Sequence, residues 1–246
     1  MNLDPLRALT PASLKKAVVQ AAASPPVDAV LRGLFPGGVP HYGSRIPATR
    51  PGQAARLFFG FYERAEIFMT RKLLPGGMDV VELGGSLGAN TCLIARKSNR
   101  VVSVEADPKL ADRLRDTIAR NRLSNVTVVG KAIAVGRDSV RFETGATNLG
   151  GHLGESGIEV PATSLTALLA EHQFGDYALV SDCEGAEVEI LLKEPGALAG
   201  CRVALIEMGG LGFSPDQVET MFLDLGFERT YRYGPCAAFV RQGRDR

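Results

Sequence analysis

A carboxylate and three glycines meet at residues 82–88, in the stretch VVELGGSLGANTCLIA. An apolar run ends in Glu82, and Gly84, Gly85 and Gly88 precede a segment typical of a helix. Their spacing is not the GxGxxG pattern, whose second glycine lets the backbone approach a pyrophosphate. A carboxylate at a strand end repels phosphate and suits a cationic amino group or hydroxyls. The stretch therefore indicates a ligand that carries an amine; alternatively, the glycines only let helix and strand pack closely.

A second acid, Glu105, ends the next apolar run in VVSVEAD, 21 residues after Gly84. An acid at that place can accept hydrogen bonds from both hydroxyls of a ribose. An acid, a glycine bend and an acid at the tip of the next strand form the arrangement that S-adenosylmethionine requires. The sequence therefore predicts an S-adenosylmethionine site, with S-adenosylhomocysteine as the product.

Carboxylates also follow two later apolar runs. Asp182 and Glu184 come after YALVS, and Glu207 ends CRVALIE. Asp182 is the predicted general base for a hydroxyl acceptor, and Glu184 is predicted to bind the acceptor. The two could instead cap the following helix, whose N-terminus favours negative charge. Together with Glu207 they could hold a divalent ion through oxygen ligands, although no metal ligand is assigned.

The glycine-rich loop at 145–157 offers a different base. His152 lies in it, and the ordinary pKa of a histidine, near 6.5, suits proton transfer at neutral pH. Asn148 of the same loop could contact substrate or cofactor. We expect such a loop to close over the cofactor and exclude water.

Strand and helix patterns alternate from about residue 75 onward. MDVVEL, RVVSVEA, NVTVVGKAIA, YALVSDC and CRVALIEM predict strands between helical segments. Such alternation implies right-handed crossovers and a mostly parallel sheet, and FERTYRYGPCAAFVR predicts a closing hairpin. The predicted fold class is α/β: a mostly parallel sheet with a C-terminal antiparallel hairpin strand and an N-terminal helical extension.

The sequence before residue 75 predicts a separate helical part. Residues 1–75 form an N-terminal extension or cap in this prediction, and 76–246 the S-adenosylmethionine-binding domain. LKKAVVQAAA at 14–23 and AARLFFGFYERAEIFMTRKLL at 54–74 are predicted as helices, with a loop between. In the second, five residues recur at helical spacing and predict packing against a core or one wall of a substrate cleft: Leu57, Phe58, Phe61, Ala65 and Phe68.

The order of motifs resembles the FkbM family of S-adenosylmethionine-dependent methyltransferases. VELGGSLGANT, SVEADP, NRLSNVTVVGKAIAV, ATSLTALL, LVSDCEGAEVEILL and ALIEM follow one another over about residues 78–208. DCEGAE at 182–187 is the most specific of these, since the first two motifs occur in methyltransferases generally. The family usually has a lysine two residues before the first acid of that motif, where this chain has Val180.

The resemblance implies that the α/β fold is a Rossmann-like class I methyltransferase sheet, and it implies roles for individual residues. Glu82 and the glycines would hold the methionine end of the cofactor and Glu105 its ribose, while Asp107 would orient the ribose or adenine. Ala132 would border the adenine through its backbone, and Asp182 and Glu184 would lie beside the transferred methyl. The predicted cofactor-binding residues are Glu82, Gly84, Gly85, Gly88, Glu105, Ala106, Asp107, Ala132 and Asp182, and the predicted catalytic residues are Asp182, Glu184 and His152.

Composition narrows the function classes. The 28 basic and 27 acidic side chains give a formal charge of +1 without a block of one sign, so we expect no nucleic-acid partner. Four widely spaced cysteines and no long apolar window predict a reduced, cytoplasmic protein without a membrane partner. The family resemblance and the carboxylates at the strand ends, rather than the composition, predict methylation of a hydroxyl on a small molecule, such as a sugar or a secondary metabolite. N-methylation and a non-catalytic nucleotide-binding module remain alternatives, and a homodimer is left open.

Overall fold

The computed structural model describes residues 24–143, 152–153, 157–183 and 185–241. The chain forms two compact units, residues 1–64 and 65–246. The second unit begins before the boundary predicted near residue 75, because Met69 and Leu74 pack into the same core cluster as Val80. The predicted helix at 14–23, Asn148 and Glu184 lie outside the described residues.

The described part of the first unit is built from two helices and a hairpin. In chain order these are α1 (Pro25–Leu34), β1 (Val39–His41), β2 (Ser44–Ile46) and α2 (Gln53–Phe58). Tyr42 and Gly43, both with positive φ, join β1 to β2, as a tight hairpin turn requires. The sequence predicted a loop here, so the hairpin corrects it. Asp28 joins α1 to α2 by accepting a hydrogen bond from Ala54 N at 2.8 Å.

The single helix predicted over 54–74 is two helices. α2 ends at Phe58, and α3 begins at Arg64 and ends at Lys72. Gly60 has a φ of +67°, and Phe61 N turns back to donate to Arg56 O at 2.7 Å, which ends the α-helical ladder. The break changes the phase of the apolar residues, so the predicted core stripe is confirmed only in part: Leu57 is buried, whereas Phe58 is 43% exposed and Phe68 is 41% exposed.

The second unit contains the alternating strands and helices that the sequence predicted. Seven strands form its main sheet: β3 (Asp79–Leu83), β4 (Arg100–Val104), β5 (Val126–Val129), β10 (Tyr177–Ser181), β11 (Cys201–Glu207), β12 (Phe227–Tyr233) and β13 (Cys236–Arg241). Besides α3, five α-helices of the described residues accompany it: α4 (Ala89–Ala95), α5 (Pro108–Arg120), α6 (Leu165–Glu171), α7 (Ala186–Lys193) and α8 (Pro215–Asp224). The strand order is β12-β13-β11-β10-β3-β4-β5, with β13 antiparallel to both neighbours. This confirms the predicted α/β class, including the antiparallel hairpin strand.

Helices cover both faces of this sheet. On one face Val81, Leu179 and Ile206 share a core cluster with Leu168 of α6 and Phe222 of α8. On the opposite face Val80, Val180 and Leu205 cluster with Met69 of α3 and Ile94 of α4. Because the strands are buried on both faces, they read as near-continuous apolar runs in the sequence.

A smaller sheet follows β5 along the chain. Its strands are β6 (Ala132–Ile133), β7 (Ser139–Glu143), β8 (His152–Leu153) and β9 (Ile158–Thr163), in the order β6-β9-β7-β8. It has its own apolar cluster, to which Ala132, Ala134 and Val160 contribute. Within the described ranges, no helix is both long and apolar enough for a membrane span.

Candidate active site

The carboxyl ends of β3, β4 and β10 define the candidate site. The chain passes from β3 to β4 and β5 on one side of the sheet and later places β10 on the other side of β3. Ligands of open α/β sheets bind at such a reversal of strand order. Glu82 lies near the end of β3, Glu105 directly follows β4, and Asp182 directly follows β10.

The glycine turn after β3 brings backbone segments into contact. Gly84 N and Gly85 N both donate to Val104 O, at 2.9 Å and 3.2 Å, so the turn bends across β4. Gly84 has a φ of +89°, and a Cβ there would overlap the Asp182 carbonyl oxygen. The first glycine therefore lets the end of β3 meet the end of β10.

Gly85 and Gly88 make room for packing. A Cβ at Gly85 would meet the Ser103 hydroxyl and, at 2.5 Å, Leu114 Cδ2 of α5. A Cβ at Gly88 would lie 2.9 Å from Leu114 Cδ1 and 3.1 Å from Thr117 Cγ2. At these two positions the close-packing interpretation of the turn has direct support.

Glu82 is buried beneath the turn. Glu82 is 2% exposed, and Ser103 Oγ donates a hydrogen bond to Glu82 Oε2 at 2.5 Å. Burial, with a smaller contribution from the charge of Glu105, raises the pKa of Glu82 to about 7 against the opposing effect of the hydrogen bond from Ser103. A cation next to this carboxyl group would stabilise its charged form.

Glu105 joins the turns that follow β3 and β4. Ser86 N donates to Glu105 Oε2 at 2.8 Å, and Asp107 N donates to Glu105 Oε1 at 2.9 Å. Burial raises the pKa of Glu105, and the backbone donors oppose that shift. Each carboxylate oxygen has two lone pairs, so each can accept a further bond from a ribose hydroxyl.

Other predicted cofactor residues have visible structural roles. Asp107 is the N-cap of α5, and its Oδ1 accepts from Lys109 N at 2.8 Å. Ala106 is half-buried against the cluster of the smaller sheet. Ala132 is buried in β6, opposite Ala162 of β9. Roles for these three in cofactor binding stay predictions.

The predicted catalytic residues do not all lie at the glycine turn. Asp182 N donates to Leu83 O at 3.0 Å, which ties the end of β10 to β3. Glu184 lies outside the described residues. His152 opens β8 and pairs with Glu143 of β7, so it belongs to the smaller sheet. Of the two predicted bases, Asp182 therefore lies at the glycine turn and His152 lies in the smaller sheet.

Glu207 lies in a group with two residues that the sequence analysis did not place beside it. Its ligand atom, with those of Glu66 and Cys236, lies in a group whose members are all within 4.8 Å of one another. Cys236 Sγ donates to Glu66 Oε1 at 3.5 Å, and burial raises the pKa of this thiol. A protonated thiol donor accounts for the grouping without an ion.

Sequence reasoning missed two residues of the site. Ser103 pairs with Glu82 in register across β3 and β4, a placement that only the strand pairing reveals. Glu187, the last residue of DCEGAE, is 2% exposed and accepts from Ser181 Oγ, Cys183 N and Gly185 N. Its place in the most specific motif was the available signal.

Comparison with known proteins identifies the family. The profile of the methyltransferase FkbM domain matches residues 83–233, more than half of the chain. A probable ribosomal RNA small subunit methyltransferase A from Pyrobaculum aerophilum is 41% identical over 63 residues, 26% of each chain. The corresponding Latilactobacillus sakei enzyme is 44% identical over 55 residues, 22% of this chain and 18% of its own. The chain thus spans about a quarter or less of the curated relatives it matches.

Solved methyltransferases are similar at low identity. A ribosomal protein L11 methylase from Lactobacillus delbrueckii subsp. bulgaricus gives a TM-score of 0.46 at 9% identity, covering 73% of this chain and 78% of the other. TrmK of M. capricolum, in complex with S-adenosylhomocysteine, gives 0.47 at 6% identity, covering 72% and 67%.

These findings correct one prediction and establish the family. The expectation of a small-molecule substrate and no nucleic-acid partner is contradicted, because the curated relatives are named as ribosomal RNA methyltransferases. The resemblance carried by DCEGAE and the glycine turn is confirmed by the profile match. The chain belongs to the FkbM methyltransferase family, and it is an S-adenosylmethionine-dependent methyltransferase.

Proposed function

We propose that the cofactor binds across the carboxyl ends of β3 and β4 and that Asp182 deprotonates a hydroxyl acceptor. The observation that carries this proposal is the position of Glu105, whose two oxygens each hold one backbone N–H at a strand tip. Glu105 would accept from the ribose hydroxyls, and Glu82, below the glycine turn, would stabilise the amino group of the methionine end.

Asp182 would act as the general base. An aspartate is ionised at neutral pH unless its surroundings raise its pKa, and a hydroxyl becomes a good nucleophile as its proton leaves. When bound, S-adenosylmethionine supplies the methyl: its sulfur–carbon bond breaks as a carbon–oxygen bond forms, and S-adenosylhomocysteine remains. The acceptor proton passes to an Asp182 carboxylate oxygen. The chain's other contribution is alignment of the acceptor, with the reacting atoms about 3 Å apart.

An RNA acceptor is a second candidate. The curated relatives are named as ribosomal RNA methyltransferases, and the two units differ in charge. Residues 1–64 contain eight Lys and Arg against three Asp and Glu, whereas residues 65–246 contain 20 against 24. The formal charges are therefore +5 for the first unit and −4 for the second, which sum to the total of +1. The positive charge of the first unit favours the binding of a polyanion such as RNA there.

Cofactor binding is tested by calorimetry with S-adenosylhomocysteine. We expect binding to the wild type, no comparable binding of NAD, and about 10- to 100-fold weaker binding by Glu105→Ala, which loses charge-assisted acceptors. Absence of binding at millimolar S-adenosylhomocysteine, or unchanged binding by Glu105→Ala, contradicts the site.

The acceptor is tested with methyl-labelled S-adenosylmethionine. Label transfer is measured to total RNA and to the RNA-free, low-molecular-weight fraction of a cell extract. Nuclease-sensitive label supports the RNA candidate, and label confined to the other fraction excludes it. In either case Asp182→Asn should spare S-adenosylhomocysteine binding and slow transfer; an unchanged rate contradicts the assigned base.

A further inference from the structure

The turn between β10 and α7 is held by one buried carboxylate. Glu187 Oε1 accepts from Ser181 Oγ at 2.5 Å, Cys183 N at 3.1 Å and Cys183 Sγ at 3.3 Å. Glu187 Oε2 accepts from Gly185 N at 3.0 Å. One side chain therefore bonds the residues on both sides of Asp182 and the glycine that precedes the helix.

This arrangement differs from three other helix starts of the second unit. Ser164 caps α6, Ser214 caps α8 and Asp107 caps α5, each through a side chain at the N-cap itself. α7 begins after Gly185, which has a φ of +111° and makes no side-chain cap, and α4 likewise follows a glycine, Gly88, without such a cap. Glu187, in the first turn of α7, satisfies the N–H of Gly185 from inside the helix, where the helix dipole favours its charge.

The backbone around Asp182 is held on both sides. Its neighbours Ser181 and Cys183 are bonded to Glu187, its N–H donates to Leu83 O at 3.0 Å, and its carbonyl packs against Gly84. A backbone held on both sides sets the direction in which the Asp182 side chain leaves the sheet.

We propose that Glu187 is a positioning residue that fixes the Asp182 carboxylate relative to the transferred methyl. The inference rests on the proposed role of Asp182 and adds a residue that acts through it. A buried carboxylate is costly unless several donors compensate it, and four donors surround this one. A helix start alone needs no such carboxylate, since hydroxyl caps suffice at α6 and α8.

The test is a double-mutant cycle that needs no known acceptor. Its probe is S-adenosylmethionine labelled with ¹³C at the transferred methyl, whose NMR resonance reports the surroundings of that group in the full chain. Glu187→Gln keeps the size of the side chain but replaces one acceptor oxygen by an NH₂ group. We expect Glu187→Gln and Asp182→Asn each to move the bound methyl resonance. Added to Asp182→Asn, Glu187→Gln should produce no further change, since coupled residues are not additive.

Glu189→Gln is the matched control. Glu189 is buried in the same helix and pairs with Arg137 and Lys193, so this variant also weakens a buried ionic network. The Glu189 side chain makes none of the hydrogen bonds that Glu187 makes in the turn, and we expect the methyl resonance to stay in its wild-type position. Melting temperatures of all variants report the purely structural loss.

The outcomes separate the two proposals. Glu187→Gln effects that add fully to those of Asp182→Asn, or that Glu189→Gln reproduces, overturn the positioning role while the cofactor site stands. An Asp182→Asn variant with an unchanged methyl resonance overturns both. If the wild-type protein does not bind S-adenosylhomocysteine, the cofactor site itself is contradicted. If Glu187→Gln fails to fold, Ser181→Ala, which removes one donor to Glu187, should give a smaller resonance change in the same direction.

Discussion

Val180 of β10 lies beside Glu82 of β3 in the parallel pairing of the two strands. On the other side of Glu82, in β4, the neighbour is Ser103. Adjacent strands are about 4.8 Å apart, so the side chains next to Glu82 decide how its charge is compensated. One neighbour is a buried aliphatic group and the other a single hydroxyl, which agrees with a pKa raised to about 7.

Cofactor affinity should depend on pH through Glu82. The amino group favours the charged carboxylate, but burial leaves about half of Glu82 protonated near pH 7. Below pH 7, we expect the affinity for S-adenosylhomocysteine to fall by up to about tenfold per pH unit, since binding must release the proton. Calorimetry at pH 6 in buffers of different ionisation enthalpy measures that release. In Glu82→Gln the dependence should vanish, and a variant that keeps it would assign the dependence to another group.

Stability without cofactor should change in the same pH window. The pKa of Glu82 rises from 4.5 to about 7 on folding, so between these values the folded chain holds a proton that the unfolded chain has lost. The contribution of Glu82 to the free energy of unfolding therefore falls as pH rises from 4.5 to 7, by about 3 kcal/mol, and is constant above.

Denaturant unfolding of wild type and Glu82→Gln over this range isolates the contribution of Glu82. The free energy of unfolding of the wild type should decline relative to that of the variant. Parallel curves would contradict a raised pKa of Glu82, since the other titrating groups are common to both proteins.

A lysine at position 180 should move the pH dependence. Val180→Lys would place an ammonium group next to Glu82, at the position where the resemblance leads one to expect a lysine. We expect the pKa of Glu82 to fall, so the loss of affinity for S-adenosylhomocysteine should begin at a lower pH. Val180→Met, of comparable length without charge, is the control and should leave the midpoint in place. Equal midpoints in the two variants would show that position 180 does not govern Glu82.

The sheet was predictable because its strands are buried on both faces. VVEL, RVVSV, YALVS and CRVALIE are apolar runs between helical patterns, and each is a strand of the main sheet. The broken helix at 58–64 was not predictable from periodicity, since Leu57, Phe58 and Phe61 fit one helical face. The positive φ at Gly60 depends on tertiary context, and glycine inside a helical pattern signals such a break only weakly.

The part of the candidate site that lies at strand ends was predictable from the sequence. The acids at 82, 105 and 182 follow apolar runs, and parallel strands bring such ends together. The functions of Gly85, Gly88 and Glu187 depend on partners from other elements. Leu114 and Thr117 of α5 fill the space at the two glycines, and the donors to Glu187 gather only when the turn has folded.

Gly84 should be far less tolerant of alanine than another glycine of similar backbone. Gly84 and Gly136 have φ values of +89° and +73°, but a Cβ at Gly84 would overlap the Asp182 carbonyl, whereas nothing lies within 4 Å of one at Gly136. Gly136→Ala should therefore lose only about 1–2 kcal/mol of unfolding free energy, the cost of a left-handed alanine. Gly84→Ala must also move the end of β10, so we expect at least about 3 kcal/mol and weaker S-adenosylhomocysteine binding. Denaturant unfolding and calorimetry on both variants measure this, and equal losses in both would contradict a close contact between the ends of β3 and β10.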